Sequence, residues 1–570
     1  MAVTRDRSQD DAVHEASESS SPSSAVLQNG LSGSVWTMVS RGTGLARTIT
    51  VGAVLGATYL GNTYQGINSI PNLVYYQLLA GALFAALLVP PLVRHIDRGD
   101  RVASQRLVEG LFGTMLTVGV AVSLVLVVAG PLILRLITAG VSEPEVVSDQ
   151  TRVGWLFLVM FVPQIALYMV AGTGAAVMNA HGRFSLAAAA PALEAAGMIL
   201  VMVAAAVIFG TGTDLHDVSD AELLVLGLGT TAAVGAHALC QWLGARSSGI
   251  VIRPRWAWRD PEVRDVIRRI LPMLAFTALE AMQIVAVIVV ANKVEGGLLA
   301  FQLALNFFFL PTAIITWPIA RALLPQLSRH FRNGETDAFR DELVRAVRVA
   351  SFATIPLAVA YVALAWPIAN GVAFGQLHTG GGAALIAPSI AALALAVVGE
   401  TWFILATYSC YAQNDVRTPL RCMFVRVGVA LAFMTFAIFS EGHTILVLLG
   451  LSLSIGSVAG ALTMGWRVHG RIRGHRTSGT GSLWRSVGWS ALVSLIAVLP
   501  ATLVLAIVGP ATGSKVAELA QLGALMLLSG ATYVGVQFLR RAPELRWLLD
   551  ALGRGRTPAS GEADPVAAPR

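Results

Sequence analysis

Apolar runs of about twenty residues or more recur along this chain of 570 residues. Each is long enough to cross the roughly 30 Å hydrocarbon core of a bilayer as a helix. There are about fourteen, near 34–58, 66–93, 107–137, 153–179, 184–209, 222–245, 270–293, 297–325, 346–372, 384–411, 419–440, 444–467, 484–508 and 518–540. Only 13% of the residues are charged, against about 25% in a soluble domain. No single core can hold that much apolar surface, so the chain reads as an all-α polytopic membrane protein.

Loop charge predicts sidedness. Arg94, Arg98, Arg101 and Arg106 crowd one loop, and Arg246, Arg253, Arg255, Arg259, Arg264, Arg268 and Arg269 another. Arg329, Arg332, Arg340, Arg345 and Arg348 form a third basic group, and Arg467, Arg471, Arg473 and Arg476 a fourth. The loops between them are acidic or bare, so both termini are expected on the cytoplasmic side of the membrane. The same rule accounts for the net charge of +7, which is nearly all arginine, without invoking nucleic acid. Cys240, Cys410 and Cys422 lie in apolar spans and show no metal or disulfide spacing.

The expected organisation follows from these boundaries. A polar, serine-rich tail covers 1–33, and a six-helix lobe 34–245. A basic loop, 246–269, leads to a second six-helix lobe, 270–467. A further loop and two extra helices fill 468–540, and 541–570 reads as a loop-like tail.

An internal repeat supports the two lobes. Leu88-Val-Pro-Pro-Leu-Val-Arg-His-Ile-Asp-Arg-Gly-Asp100 recurs as Leu323-Leu-Pro-Gln-Leu-Ser-Arg-His-Phe-Arg-Asn-Gly-Glu335, with six of thirteen positions identical at an offset of 235. A weaker echo pairs Asn179–Arg183 with Gln413–Arg417 at an offset of 234. Six spans per repeat keep both halves in one orientation. That predicts lobes related by a pseudo-two-fold along the membrane normal, with a substrate path between them.

Polar groups inside the spans are the functional candidates. Arg47 falls near the middle of the first span. Arg41, six residues earlier, can snorkel to the interface. An arginine in hydrocarbon costs about 2.5–3.5 kcal/mol on insertion scales, so it needs a cavity, an anionic ligand or an acidic partner. The second span carries Asn62, Asn68 and Asn72 beside Pro71, which can kink it. Glu194, Glu280 and Glu400 are candidates to carry a proton, bind a cation or pair an arginine. Arg321, Arg421 and Arg426 read as topology signals, and His237 alone says little. No phosphate-binding G-x-x-x-x-G-K-[ST] loop, H-E-x-x-H or CxxC motif occurs. The chain therefore reads as a transporter and not an enzyme, with no cofactor, driven by membrane potential or an ion gradient.

Several segments together resemble the MurJ/MviN family, lipid II flippases of the multidrug/oligosaccharidyl-lipid/polysaccharide exporter superfamily. They are Met38-Val-Ser-Arg-Gly-Thr-Gly-Leu-Ala-Arg47, Ile70-Pro-Asn-Leu73, Val162-Pro-Gln164, Met178-Asn-Ala-His-Gly-Arg-Phe184, Leu323-Leu-Pro-Gln-Leu-Ser-Arg329 and Tyr411-Ala-Gln-Asn-Asp-Val-Arg-Thr-Pro419. The resemblance runs through about 34–470. It implies two six-helix lobes plus a final pair, a cationic cavity for the lipid pyrophosphate, and alternating access. Ser40, Arg41 and Arg47 match the family's essential positions in the first span. The family's aspartate at the start of the second span is Asn62 here, its arginine after Pro-Asn-Leu is Tyr75, and its eighth-span arginine aligns with Asn306.

The candidate substrate-binding set is thus Ser40, Arg41, Arg47, Asn62, Asn68, Asn72 and Asn306. The expected ligand is lipid II, with membrane lipids and cell-wall synthesis proteins as partners. Because the charged set is thinned, another polyprenyl-pyrophosphate saccharide stands as an alternative substrate. A cation-coupled exporter and a non-transporting envelope-assembly scaffold are the other readings.

Overall fold

The long apolar runs are helical in the computed structural model, which describes residues 22–75, 81–471, 478–511 and 514–554. The first helix, α1 (Pro22–Leu55), ends where Gly56 takes a positive φ of 75°. Thr58 caps α2 (Tyr59–Leu73) by accepting the Gly61 N–H at 3.2 Å. After α3 (Gly81–Asp97), Asp100 caps α4 (Arg101–Val128) in the same way, and the short α5 (Gly130–Thr138) follows. The expected span 153–179 is two helices, α6 (Pro144–Phe161) and α7 (Gln164–Ala180). Pro163, between them, has no N–H with which to continue the helical ladder. Then come α8 (Phe184–Phe209), α9 (Asp220–Ser247, capped by Ser219) and α10 (Pro261–Ala291, capped by Asp260 with proline in its first turn).

The eighth expected span is interrupted as well. α11 (Gly297–Pro311) passes through a π turn, Thr312–Thr316, into α12 (Trp317–Arg332). Pro311 leaves the Phe307 carbonyl without its helical donor, and the Tyr361 hydroxyl supplies one at 2.9 Å. The remaining helices are α13 (Thr336–Ala363), α14 (Ala365–Val372), α15 (Gly375–Thr379), α16 (Gly382–Ala412), α17 (Arg417–Ile438), α18 (Thr444–Arg471), α19 (Ser478–Val508), α20 (Lys515–Leu539) and α21 (Pro543–Arg554).

Among the described residues, twelve helical stretches are long and apolar enough to cross a membrane. The first two expected spans are not among these twelve. They fall on α1 and on the pair α2 and α3, which flank residues outside the description. Two expectations at the ends need correction. Residues 22–33 are helical instead of tail, and the stretch from Pro543 is a helix instead of a loop. Glu544 and Leu545 of α21 are buried, and the helix packs on α13. A short amphipathic helix with many charges carries too little hydropathy to stand out as a span.

The chain divides into two compact units. The first runs to Leu299 and takes back Phe374–Gly382, so α10 and α15 belong with the N-terminal helices. In it α8 lies against α1 and α9, and α7 packs on α9, α3 and α4. Its core includes Leu107, Leu111, Tyr168, Val177, Met198 and Val234. The second unit, Ala300–Ala373 with the chain from Ala383, pairs α17 with α18 and α13 with α19, with α20 alongside.

The repeat is visible in backbone detail. Gly99 and Gly334 have φ of 71° and 72°, and each is followed by an acid at the start of a helix. The hydrogen bonds Asp100 N–H to His95 O and Glu335 N–H to His330 O, 3.0 and 2.9 Å, close the two turns alike. The second echo sits two residues from its expected register. Gly182 and Asn414 are the positive-φ residues, and Arg183 N–H to Met178 O matches Asp415 N–H to Cys410 O, each 2.9 Å. The step from Gly182 to Asn414 is 232 residues, not 234.

Candidate functional site

Four helices of the first unit converge on one carboxylate, and a fifth, α2, joins them through Tyr168. α8 holds Glu194 buried among α1, α7 and α9. From α7, the Tyr168 hydroxyl lies 2.9 Å from Glu194 Oε1. From α9, His237 Nδ1 lies 2.7 Å from Oε2. From α1, Arg47 Nη1 stands 3.9 Å from Oε1 and 3.4 Å from the Met198 sulfur. Tyr168 also reaches Asn72 Oδ1 of α2 at 2.9 Å. The Asn72 amide nitrogen donates back to the Asn68 carbonyl at 2.9 Å.

Arg47 keeps 26% of its side chain exposed, against 8% for Glu194. At 3.9 Å its contact is a loose ion pair and not a two-pronged one. The carboxylate is shared with a tyrosine and a histidine, so Arg47 retains charge and donors for another anion. Arg41 is exposed on the same helix, and Ser40 is half-buried with its carbonyl accepting from Thr43.

Asn62 plays a different part. It is buried, and its amide nitrogen donates to Val294 O at 2.8 Å. Its oxygen accepts from the Leu298 and Leu299 N–H groups at 3.0 and 3.4 Å. These bonds tie the turn before α11 and the first residues of α11 to α2. Asn68 is buried with its side-chain oxygen unbonded. Asn306, in the second unit, is half-buried and donates to Gln302 O of its own helix at 2.8 Å. Glu280 is half-buried on α10.

Glu400 is taken up by Arg426, with contacts of 2.8 and 3.2 Å, and the guanidinium also sits 5.3 Å from the Phe403 ring centroid. Arg426, read from the sequence as a topology signal, is a buried ion-pair partner. Sequence reasoning also missed Tyr168 and His237 as members of the Glu194 cluster. Tyr75 is buried and stacks on Tyr168, ring centroids 4.8 Å apart. The backbone of Gly172 makes room for it, since a Cβ there would lie 2.8 Å from the phenol oxygen. Among the described residues no group of three or more His, Cys, Asp or Glu side chains is placed to hold a metal ion.

Comparison with known proteins places this architecture. The chain is 25% identical over 413 residues to a protein of Rhizobium tropici named probable lipid II flippase MurJ, covering 71% of this chain and 74% of that one. It is 25% identical over 440 residues to the lipid II flippase MurJ of Burkholderia cenocepacia, covering 74% and 79%. Among solved structures, a lipid II flippase MurJ in an inward closed conformation superposes with a TM-score of 0.70 at 16% identity, covering 89% of this chain and 98% of that one. An inward-facing multidrug resistance MATE family transporter superposes at 0.59 with 13% identity, covering 75% and 94%. These two likenesses concern the fold. The sequence profile described as Lipid II flippase MurJ matches residues 51–516, starting just past Arg47, and by that match over most of its length the chain belongs to the lipid II flippase MurJ family of multi-pass membrane proteins.

Proposed function

We propose that this protein moves lipid II, a polyprenyl-pyrophosphate-linked peptidoglycan precursor, from the inner to the outer leaflet of a bacterial cytoplasmic membrane by alternating access. Family membership supports the substrate. The observation that carries the site is Arg47, loosely paired and partly exposed inside an apolar helix. A diphosphate gives such a guanidinium a partner with matching geometry. The chain acts as a transporter without catalysis or cofactor. The membrane potential or an ion gradient drives it, since one charge crossing 100 mV is worth about 2.3 kcal/mol. Both termini face the cytoplasm, and cell-wall synthesis proteins receive the product.

A second substrate, another polyprenyl-pyrophosphate saccharide, is favoured by one observation. Asn62 and Tyr75, where the family resemblance implies charged residues, are taken up inside the protein, Asn62 by hydrogen bonds and Tyr75 by stacking. That leaves Arg47 to carry more of the headgroup recognition.

The test is depletion of the protein followed by leaflet-resolved measurement of lipid II, with complementation by wild type and by Arg47→Ala. Outer-leaflet lipid II falls on depletion and returns with wild type. With Arg47→Ala it stays at least tenfold lower although the variant reaches the membrane. Unchanged outer-leaflet lipid II on depletion overturns the lipid II reading. Full rescue by Arg47→Ala favours a scaffold.

A further inference from the structure

The hydrogen bonds around Glu194 can be counted. The Asn72 amide has a fixed orientation, because its NH₂ must face the Asn68 carbonyl at 2.9 Å. Asn72 therefore presents its oxygen to Tyr168, which lies 2.9 Å away. An amide oxygen only accepts, so the single phenol proton of Tyr168 belongs to Asn72. The phenol oxygen is then left facing Glu194 Oε1, also at 2.9 Å. Two oxygens at that distance need a proton between them, and Tyr168 has none left to give. The Gln241 amide nitrogen, which donates to Ala187 O, also lies 3.4 Å from His237 Nε2 and makes it the acceptor, so Nδ1 is assigned the ring proton and satisfies the other carboxylate oxygen at 2.7 Å. The arrangement has room for one more proton, on Glu194 Oε1.

We infer that Glu194 is a proton-binding site, and that its proton decides whether Tyr168 holds Asn72. With the proton present, taken up from water, a continuous chain runs from Glu194 through Tyr168 and Asn72 to the Asn68 carbonyl, linking α8, α7 and α2. With the proton lost, the carboxylate and the Asn72 oxygen compete for one phenol proton. The charged acceptor wins, because charge-assisted bonds are roughly twice as strong. Tyr168 then lets go of α2 next to Pro71, where the helix already lacks a backbone bond.

The groups that face the site are Arg47 from α1, Tyr168 from α7, His237 from α9, and Tyr64 of α2, itself bonded to Thr230 at 2.7 Å. Arg47 and the N–H of His237 favour the carboxylate. The count above favours the acid in this conformation, so the two forms belong to different arrangements of α2. A further link rests on the reading of Arg47 as the headgroup ligand. An anion on Arg47 withdraws that cation from Glu194 and favours its proton, and by reciprocity the proton favours the anion.

Infrared difference spectroscopy of the full chain in lipid nanodiscs tests this without any transport. The wild type gives a carboxylic-acid C=O band that disappears on raising pH and shifts in D₂O. Glu194→Gln abolishes that band, and Tyr168→Phe keeps it at a shifted frequency because the hydrogen-bond acceptor is gone. If Glu194→Gln does not fold, Glu194→Asp serves instead, with a displaced band expected. A pH-dependent band that survives Glu194→Gln, is unmoved by Glu194→Asp, or is missing from the wild type at every pH overturns the inference. Lipid II is not needed for any of these readings. Failure of the leaflet assay with the band intact removes the flippase assignment and leaves the proton site.

Discussion

Arg426 meets Glu400 through its two terminal guanidinium nitrogens, Nη1 donating to Oε1 at 3.2 Å and Nη2 lying 2.8 Å from Oε2 as an ion-pair contact, and only 10% and 11% of the two side chains are exposed. A buried pair of this kind is destabilised most by losing one partner, because the other is left charged in an apolar setting. Arg426→Ala is expected to lower stability by about 3–5 kcal/mol. The double change Arg426→Met with Glu400→Leu should recover most of it. Thermal unfolding in detergent checks the ranking: the double variant melts above the single one.

Tyr361 and Pro311 form a compensating pair across α13 and α11. Tyr361→Phe removes the donor to the Phe307 carbonyl and is expected to cost about 1–3 kcal/mol as a buried unsatisfied group. Pro311→Ala restores a backbone N–H at the position that bonds Phe307. In that background Tyr361→Phe should cost less than half as much. A double-mutant cycle by denaturant or heat reads the coupling.

Asn62 tests whether the second-span amide is structural. Its donor faces Val294 O and its oxygen faces two N–H groups. Asn62→Asp keeps the acceptor but sets a carboxylate oxygen against the Val294 carbonyl. The expected loss is about 2–3 kcal/mol, near that of Asn62→Ala. A ligand-only role for Asn62 would leave the melting temperature of both variants unchanged.

Glu544 makes the docking of α21 depend on pH. Burial raises its affinity for a proton, but bonds from Ser486 and its own backbone, and the Arg348 guanidinium at 2.6 Å, outweigh burial and hold the carboxyl below its ordinary range. A group depressed in the folded state adds stability above its unfolded pKa and loses it as pH falls through the folded value. α21 should therefore stay docked at neutral pH and loosen only below the ordinary carboxylate range near 4.5. Proteolytic cleavage within Pro543–Arg554 as a function of pH reports this, and Glu544→Gln should be cleaved readily at neutral pH.

Most of the spans and the repeat that joins Leu88–Asp100 to Leu323–Glu335 were legible because they depend on local composition, whereas the breaks at Pro163 and Pro311 were read through as continuous helix because the flanking residues stay apolar. Arg47 was legible because one charge in an apolar helix stands out. Tyr168 and His237 were not, since a tyrosine and a histidine are ordinary in such helices and their meeting at Glu194 depends on packing between distant spans. Arg426 looked like a loop-side charge because position along a helix says nothing about which neighbour it faces. One overlooked signal was the common separation of 26 residues between Tyr168 and Glu194 and between Glu400 and Arg426.

That separation has a larger consequence. The step of 232 residues from Gly182 to Asn414 also carries Tyr168 onto Glu400 and Glu194 onto Arg426. Both halves thus join their fourth and fifth spans by a polar contact at the same address, with opposite wiring. In one half the acid sits on the later helix and answers to a neutral phenol. In the other the acid sits on the earlier helix and answers to a permanent cation. A salt bridge between strong ions is a rivet; an acid beside a phenol is a latch. The duplicated architecture carries one of each, so on the reading of Glu194 as a proton site only the first of the two contacts is one that a single proton can rewire.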